Sequence, residues 1–454
     1  MNSVIFREYD IRGVVDQDFD VEFATLLGRA LVTLIHQELE ISKPTLTIGH
    51  DARVSSPSIV DALVKGITSS GGNVLRLGLV TTPICYFSTF TWPNVNGAFM
   101  VTGSHNPPEY NGFKISVGPS TIFGEKIKRL ETIINNGEFF EGHGSDETID
   151  IFPSYLARYR QEFGALPNTK VVLDCGNGTA GCVARDLFAA VGLDPIILFE
   201  DPDGTFPNHH PDPTVEENLE DLKMAVKEHS AVVGIGFDGD TDRIGVVDEN
   251  GKMILGDELI AIWSRYVLKE NPGAKIIGDV KCSDRLFADI ERHGGIPIMW
   301  KTGHSLVKQK IKDEKSPFGG EMSGHVFFAD RNYGYDDALY AGLRLVEILA
   351  KTGKKMSELL SDFPPAFNTP ELRIDTTEEK KHQIVDKLIE VFGDKGDDYT
   401  VNRIDGLRIS FENGWALARP SNTQPVLVLR FESNSEDGLN DIKKRIYDIV
   451  DPML

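Results

Sequence analysis

The stretch that decides the fold is Thr102-Gly103-Ser104-His105-Asn106-Pro107-Pro108-Glu109-Tyr110-Asn111-Gly112-Phe113-Lys114. The five residues before it, Gly97-Ala98-Phe99-Met100-Val101, predict a buried strand. Ser104 then follows the carboxyl end of a strand, where α/β sheets carry reactive groups. Gly103 lets the backbone turn, and the Asn-Pro-Pro run prevents a helix. Taken alone, the stretch fits an ordinary surface turn equally well.

On both sides of this loop, strand-like apolar runs alternate with amphipathic helical patterns as far as about residue 365. Examples are the predicted strands 45–49 and 170–174 and the predicted helix 20–40. This order predicts three similar α/β domains with mixed, mostly parallel sheets. Beyond Pro364-Pro365, a strand, a helix, several short strands and a last helix predict a smaller α+β domain. The expected domains are residues 1–147, 148–252, 253–366 and 367–454.

Composition limits the classes of function. The formal charge of −22 argues against binding to nucleic acid or to anionic membranes, since both need a basic face. A phosphorylated substrate would need a locally basic cleft, and cations do lie near the motifs: Arg7, Arg12, Lys114, Arg243, Lys281 and Arg419. The pattern of a signal peptide or a membrane span is not found. We therefore expect a cytoplasmic protein with four reduced cysteines: Cys85, Cys175, Cys182 and Cys282.

A second motif, Asp238-Gly239-Asp240-Thr241-Asp242-Arg243, follows a strong strand pattern at residues 231–237. On an extended strand its three carboxylates would lie roughly 6–7 Å apart. Binding one Mg²⁺ therefore requires the segment to curl, which Gly239 is expected to permit. A solvated acidic turn is the alternative. An EF-hand does not fit, because Arg243 replaces the glycine and strands flank the motif. A haloacid-dehalogenase signature does not fit either, because Asp242 stands where threonine is required.

A third motif, Gly176-Asn177-Gly178-Thr179-Ala180-Gly181, has the GxGxxG spacing of a dinucleotide-binding turn. It follows a predicted strand and precedes a helix-like stretch, and Glu200 lies about twenty residues further on. An NAD-binding oxidoreductase is therefore an alternative function. Tight packing of a strand against a helix is the preferred interpretation. His209 and His210 could bind a metal, but they fit an ordinary Pro-rich loop better.

Two further loops carry groups suited to a polar ligand. Glu321 and Ser323 are two residues apart and would face the same way on an extended loop. A second loop supplies a guanidinium, hydroxyls, an amide and backbone N–H groups, which suit a phosphate dianion. Its sequence is Arg419-Pro420-Ser421-Asn422-Thr423-Gln424-Pro425. Each loop taken alone is more typical of an ordinary surface segment.

Together these motifs resemble those of the α-D-phosphohexomutases over the whole chain. The opening segment, Phe6-Arg7-Glu8-Tyr9-Asp10-Ile11-Arg12-Gly13, matches that family as well. The resemblance implies four domains around a central cleft, with Ser104 carried as phosphoserine. It also implies Mg²⁺ bound by Ser104, Asp238, Asp240 and Asp242. Asn422 matches the branch that acts on mannose and glucose, whereas Gln424 departs from it, and the glucosamine branch is an alternative.

The resemblance also assigns ligand contacts. Glu321 and Ser323 would hold the 3- and 4-hydroxyls of the sugar, which are the same in glucose and mannose. The phosphate that is not reacting would be held by the fourth-domain loop, through Arg419, Ser421, Asn422 and Thr423. Other contacts would come from Tyr9, Arg12, Lys281 and His304. The expected partner is thus a phosphosugar, and the expected oligomeric state is a monomer.

The implied reaction moves a phosphoryl group between O1 and O6 of a hexose. It passes through a hexose 1,6-bisphosphate, which also serves as activator, and the sugar turns end for end between the two transfers. Lys114 and Arg243 would stabilise the transferring oxygens. The general base stays open among Lys114, Arg12 and His325.

A serine hydrolase is not expected. Side chains of adjacent residues on an extended loop diverge, so His105 should point away from Ser104, and no GxSxG motif surrounds the serine. A sugar-phosphate sensor without catalytic activity is a further alternative.

Overall fold

The computed structural model describes residues 5–421 and 425–454, and in that part of the chain the strands form four separate sheets. The sheets follow one another along the sequence. Three are mixed and flanked by helices, and the fourth is antiparallel. The expected class, three α/β units and a smaller α+β unit, is confirmed.

The first sheet carries the serine loop at the end of its fourth strand. Its strands are β1 Ile11–Val14, β2 Thr45–His50, β3 Asn73–Leu79, β4 Val95–Val101, β5 Tyr110–Val117, β6 Ser120–Thr121 and β7 Asp146–Thr148. Its helices are α1 Val21–Leu39, α2 Ser56–Ser69, α3 Thr82–Thr91 and α4 Glu125–Asn136. The strand order is β1-β5-β4-β2-β3-β7, with β6 beside β5. Because β2 and β4 are parallel neighbours, their carboxyl ends meet at one edge.

The second sheet carries the acidic loop between two of its central strands. Its elements are α5 Phe152–Phe163, β8 Val171–Asp174, α6 Ala184–Ala190, β9 Ile196–Leu198, α7 Glu220–His229, β10 Val233–Phe237, β11 Ile244–Asp248 and β12 Met253–Ile254. The strand order is β12-β11-β10-β8-β9. Residues 248–251 form a hairpin turn, in which Gly251 donates its N–H to the Asp248 carbonyl. The hairpin carries the second sheet to residue 254.

The third sheet and its helices present two loops to the same region. The elements are α8 Gly256–Glu270, β13 Lys275–Asp279, α9 Asp284–Arg292, β14 Ile296–Trp300, α10 His304–Glu314, β15 Phe318–Gly320, β16 Val326–Phe328 and α11 Ala338–Thr352. The strand order is β14-β13-β15-β16. The helix α10 begins at His304, and the loop between β15 and β16 contains Glu321 and Ser323.

The fourth sheet is covered by two helices, which share its core. The elements are β17 Phe367–Asn368, β18 Leu372–Asp375, α12 Glu378–Phe392, β19 Tyr399–Asn402, β20 Leu407–Phe411, β21 Gly414–Pro420, β22 Val426–Ser433 and α13 Glu436–Val450. Arg419 lies at the end of β21, where the predicted phosphate loop begins.

The apolar cores show how the units are joined. One continuous cluster includes Leu77 of the first unit, Leu173 of the second and Trp263 of the third, so burial of apolar surface binds these three units together. The fourth unit has a core of its own around Leu429. Among the described residues, no helix combines the length and the apolar character needed to cross a membrane.

Candidate active site

Ser104 is buried at the end of β4 and is held in a left-handed backbone conformation. Its φ is +50°, and only 2% of the residue is exposed. Its N–H donates to the hydroxyl of Thr102 at 2.8 Å. The expectation that His105 points away is wrong, because Ser104 Oγ lies 3.2 Å from His105 Nδ1. The left-handed turn, rather than an extended loop, brings the two side chains together.

Arg53, which the sequence analysis missed, binds the backbone of the serine loop. Its guanidinium donates to the carbonyls of four loop residues: Ser104 at 2.9 Å, Asn106 at 2.6 Å, Tyr110 at 3.0 Å, and Pro107. Its Nε donates to Asp51 Oδ2 at 3.0 Å. All five guanidinium N–H groups therefore have acceptors. A Cβ at Gly103 would lie 2.4 Å from this guanidinium, which explains why glycine precedes the serine.

The acidic loop after β10 curls as predicted. The backbone N–H groups of Asp242 and Arg243 donate to Asp238 Oδ1 at 3.0 and 3.1 Å. The strained residue, however, is Thr241, with φ +68°. Gly239 serves a different purpose, because a Cβ there would lie 2.5 Å from the Ser104 carbonyl oxygen. Glycine thus permits the two loops to touch.

Two residues of the first unit enter the acidic loop of the second. Lys114 Nζ donates to Asp240 Oδ2 at 2.7 Å and also contacts Asp242 Oδ2. The Thr82 hydroxyl donates to Asp240 Oδ2 at 2.7 Å. Burial would lower the pKa of Lys114, but Asp240 and Asp242 outweigh it and raise the pKa. The two carboxylates therefore favour the protonated form of Lys114.

The acidic loop has the composition of a cation site. One oxygen from each of Asp238, Asp240 and Asp242 lies within 4.8 Å of the others. Asp240 Oδ1 and Asp242 Oδ1 are buried and accept no hydrogen bond from the described residues. Burial and the two neighbouring carboxylates raise the pKa of Asp238 well above its ordinary value. Three buried carboxylates, two of them with an unsatisfied oxygen, fit a hard divalent cation.

The serine and the acidic loop meet directly. Ser104 Oγ donates to Asp238 Oδ2 at 2.8 Å. The hydroxyl therefore lies at the edge of the carboxylate group.

Histidines of the third unit complete this side of the site. Arg243 Nε donates to His325 Nε2 at 3.1 Å, and the rings of His325 and His304 stack with centroids 5.5 Å apart. His325 Nδ1 lies 3.2 Å from Asp336 Oδ2. Burial holds the pKa of His304 well below its ordinary value, so this ring is neutral.

Glu321 and Tyr9 both bond to the loop before α10. The Gly303 N–H donates to Glu321 Oε1 at 2.5 Å, while Glu321 Oε2 is buried without a partner among the described residues. Burial raises the pKa of Glu321. Tyr9 donates its hydroxyl to the Thr302 carbonyl at 2.7 Å. Ser323 is half-buried two residues further along the loop.

The fourth unit adds Arg419, which is joined to the third unit through Asp405. Arg419 Nε donates to Asp405 Oδ2 at 3.1 Å, and the same oxygen accepts the Thr302 N–H at 3.1 Å. The Ser421 carbonyl accepts a bond from Lys381 Nζ at 2.6 Å. The predicted contacts Asn422 and Thr423 lie outside the described residues.

Lys281 and Arg12 also make side-chain contacts that link separate segments. Lys281 Nζ donates to Glu371 Oε2 of the fourth unit at 3.1 Å. Arg12 donates to Asn106 Oδ1 in the serine loop at 2.7 Å and to Asp10 at 2.6 Å. Hydrogen bonds therefore link Arg12 to the serine loop and Lys281 to the fourth unit.

The glycine-rich turn at residues 176–181 is not a dinucleotide site. It leads into a short 3₁₀ helix, Thr179–Cys182, and packs against the acidic loop. A Cβ at Gly178 would lie 2.9 Å from the Gly239 carbonyl oxygen, and Thr179 and Thr241 hydroxyls lie 2.8 Å apart. The acidic loop therefore lies where a pyrophosphate would have to bind. The turn packs a strand against a helix, which is the interpretation that the sequence analysis preferred.

Four family models match the chain in order. They describe the α/β/α domains I, II and III of phosphoglucomutase/phosphomannomutase and its C-terminal domain, at residues 3–141, 153–251, 255–367 and 371–449. A buried serine against an acidic loop, inside this four-domain fold, defines a phosphoryl-transferring mutase. The chain belongs to the phosphoglucomutase/phosphomannomutase family.

Individual relatives agree with this assignment. A phosphomannomutase/phosphoglucomutase of Pseudomonas putida is 46% identical over 439 residues, 97% of this chain and 94% of the relative. A phosphoglucomutase of Neisseria meningitidis is 40% identical over 450 residues, 98% and 96% of the two chains. The crystal structure of a family protein from Burkholderia thailandensis has a TM-score of 0.92 at 41% identity, covering 100% and 99%. The matched relatives are mutases, so the function is interconversion of hexose 1-phosphate and hexose 6-phosphate.

Proposed function

We propose that the chain interconverts the 1- and 6-phosphates of mannose and glucose with Ser104 as the phosphoryl carrier. The observation that carries this proposal is the 2.8 Å hydrogen bond from Ser104 Oγ to Asp238 Oδ2, at the edge of a group of carboxylates able to hold a cation. A serine phosphate and a divalent cation would there share one set of ligands.

In the forward step, the free hydroxyl of a hexose monophosphate attacks the phosphorus on Ser104. A new P–O bond forms to the sugar, the bond to Ser104 Oγ breaks, and the hydroxyl proton leaves to a base. The product is a hexose 1,6-bisphosphate, which turns end for end and returns its other phosphoryl group to Ser104. Lys114 and Arg243 stabilise negative charge on the transferring oxygens.

His325 is the base in this proposal. Lys114 is held protonated by Asp240 and Asp242, and the guanidinium of Arg12 does not lose its proton in proteins. His325 Nε2 accepts a hydrogen bond from Arg243 Nε, so it carries a lone pair. When the Arg243 guanidinium turns to the transferring phosphoryl group, that lone pair is free to receive the hydroxyl proton in one direction and to return it in the other.

The cation proposed for the acidic loop is Mg²⁺, with Asp238, Asp240, Asp242 and the phosphorylated Ser104 as ligands. When bound, Mg²⁺ withdraws negative charge from the transferring phosphoryl group. The orphaned oxygens Asp240 Oδ1 and Asp242 Oδ1 support this assignment.

The remaining residues bind the sugar and its second phosphate. Glu321 and Ser323 hold the 3- and 4-hydroxyls of the sugar, so the site does not distinguish the two configurations at C2. Tyr9, Lys281 and His304 line the same cleft. The phosphate that is not reacting lies on the fourth-domain loop, at Arg419, Ser421, Asn422 and Thr423.

The proposal extends to the state of the protein. The folding units are residues 1–147, 148–252, 253–366 and 367–454. The protein works as a cytoplasmic monomer, and catalytic hexose 1,6-bisphosphate restores Ser104 phosphate when it is lost. Size-exclusion chromatography with light scattering tests the monomer directly.

The test is a coupled assay on α-mannose 1-phosphate and α-glucose 1-phosphate, with Mg²⁺ and catalytic 1,6-bisphosphate. Both sugar phosphates should be converted. Glucosamine 1-phosphate is assayed separately as the substrate of the alternative branch of the family. Ser104→Ala should abolish turnover, with Thr132→Ala, which changes an exposed hydroxyl on α4, as control. Activity of Ser104→Ala close to wild type would remove the serine from the mechanism.

A further inference from the structure

A largely buried polar cluster contains His325, and two of its members, Asp336 and Lys308, take no part in the steps described above. It consists of His304, His325, Lys308 and Asp336, and Asp336 is fully buried at its centre. Asp336 Oδ2 lies 3.2 Å from His325 Nδ1 and 3.5 Å from His304 Nδ1. Lys308 Nζ donates to the other oxygen, Asp336 Oδ1, at 3.0 Å. One carboxylate oxygen thus faces the same ring nitrogen of two histidines.

The protonation of His325 follows from its neighbours. Arg243 Nε can only donate, so His325 Nε2, which lies 3.1 Å from it, is the acceptor. In the neutral ring the proton is then on Nδ1, the nitrogen that faces Asp336. Asp242 Oδ1 also faces this nitrogen but is more distant, at 3.6 Å.

His304 lies against the same carboxylate in the same sense. Its ring stacks on that of His325 with an interplanar angle of 25°, and its Nδ1 faces the same oxygen of Asp336. A carboxylate oxygen can accept two hydrogen bonds. Asp336 Oδ2 and both Nδ1 atoms are buried and form no hydrogen bond of standard geometry among the described residues, so this oxygen is the acceptor that both Nδ1–H groups face.

We propose that Asp336 is a positioning residue that fixes His304 and His325 in the Nδ1–H tautomer and leaves Nε2 of both rings unprotonated. The inference rests on the proposed function in one respect, namely that His325 Nε2 receives the hydroxyl proton of the sugar. A ring in the opposite tautomer would present an N–H at Nε2 and could not accept that proton.

The charge on Asp336 is secured by Lys308. Burial would raise the pKa of Asp336, but Lys308 and the hydrogen bond from His325 outweigh burial and hold the pKa well below its ordinary value. Lys308 thereby keeps Asp336 an acceptor, whereas the contact with the histidines belongs to Asp336 alone. Replacing the two residues separately therefore distinguishes the charge from the contact.

Nitrogen NMR of protein labelled with ¹⁵N-histidine reads the tautomers, because protonated and unprotonated ring nitrogens resonate in separate ranges. Signals are assigned from His304→Gln and His325→Gln. In the wild type both residues should show protonated Nδ1 and unprotonated Nε2. The opposite tautomer in the wild type overturns the proposal without any variant at Asp336.

Three variants complete the test. Asp336→Asn keeps the shape and removes the charge, and it should give mixed tautomers at both histidines. Lys308→Met removes the cation but keeps the carboxylate contact, so it should shift the tautomers less than Asp336→Asn does. Asp330→Asn is the matched control, because Asp330 is another buried carboxylate of this unit that is paired with a cation, Arg344, at 2.9 Å. Unchanged tautomers in folded Asp336→Asn overturn the proposal.

Kinetics separates this inference from the proposed function. Asp336→Asn should lower kcat about 10–100-fold, as losses of outer-shell partners do, with a much smaller change in KM. Altered tautomers in a protein that lacks mutase activity would uphold the positioning role and refute the proposed function. Full mutase activity in Asp336→Asn would uphold the function and refute the positioning role.

Discussion

Arg53 provides the sharpest test of how the serine loop is held. The conservative change Arg53→Lys keeps the positive charge beside Asp51 but replaces five N–H donors with three. Because all five donors have acceptors in the wild type, at least two acceptors lose their bond. Most of these acceptors are carbonyls of the loop that carries Ser104, so the loss falls on the conformation of that loop.

The magnitude follows from the number of bonds lost. A hydrogen bond from a charged donor contributes about 1.5–3 kcal/mol, so two losses weaken the loop conformation by at least about 3 kcal/mol. If catalysis requires this conformation, kcat should fall about 100-fold, since 1.36 kcal/mol corresponds to a factor of ten.

The assay measures kcat with glucose 1-phosphate, the fraction of phosphorylated Ser104 by mass spectrometry, and amide exchange across residues 103–110. Arg76→Lys is the control, because Arg76 is a half-buried arginine of the same unit that bonds Asp146 and Asp61 at the surface, where such pairs contribute about 0–1 kcal/mol. A folded Arg53→Lys protein with wild-type kcat and wild-type amide exchange would refute the argument.

Three further perturbations test other contacts. Gly239→Ala places a Cβ 2.5 Å from the Ser104 carbonyl oxygen, so the two loops must separate. We expect kcat to fall by roughly 100-fold, because a misplacement of about 1 Å in an active site lowers the rate by that factor. A wild-type kcat would contradict this expectation. Adding MgCl₂ to chelator-treated protein should raise Tm, because binding at a hundredfold excess over Kd stabilises the folded state by about 2.7 kcal/mol. Asp240→Asn should remove this increase. A wild-type protein whose Tm does not change argues against the acidic loop as the metal site. Lys281 holds the pKa of Glu371 at about 2, below its ordinary 4.5, so the stabilisation from their contact is complete above about pH 4.5 and disappears as the pH falls through 2. Lys281→Met should therefore lower Tm more at pH 7 than at pH 3. An equal decrease in Tm at both pH values would disprove the linkage.

The sequence predicted those parts of the site whose functional residues all lie in one short segment. Ser104 was expected after a buried strand, and the acidic residues at 238, 240 and 242 were expected to converge on a curl. Both expectations depend on local residue order, which glycine, proline and alternating acids express directly. The α/β class followed in the same way from the alternation of strand and helix patterns.

Contacts between distant segments were missed, because no local pattern encodes them. Thr82 reaches Asp240 from a different unit, and Asp336 meets two histidines only after the third unit has folded. Arg53 could have been found, since it follows β2, the parallel neighbour of the strand that precedes Ser104. The error at His105 arose because an extended backbone was assumed where Ser104 is left-handed.

Lys114 belongs to the first sheet, yet both of its carboxylate partners belong to the second. A gene divided near residue 147 would encode one piece with a dehydrated ammonium and another with mutually repelling acids, each lacking its counterion. The two pieces would have to associate before either could mature. Schemes that report protein–protein contact by reassembling a divided enzyme need such mutual dependence, and here Lys114 contributes to it together with the shared apolar core.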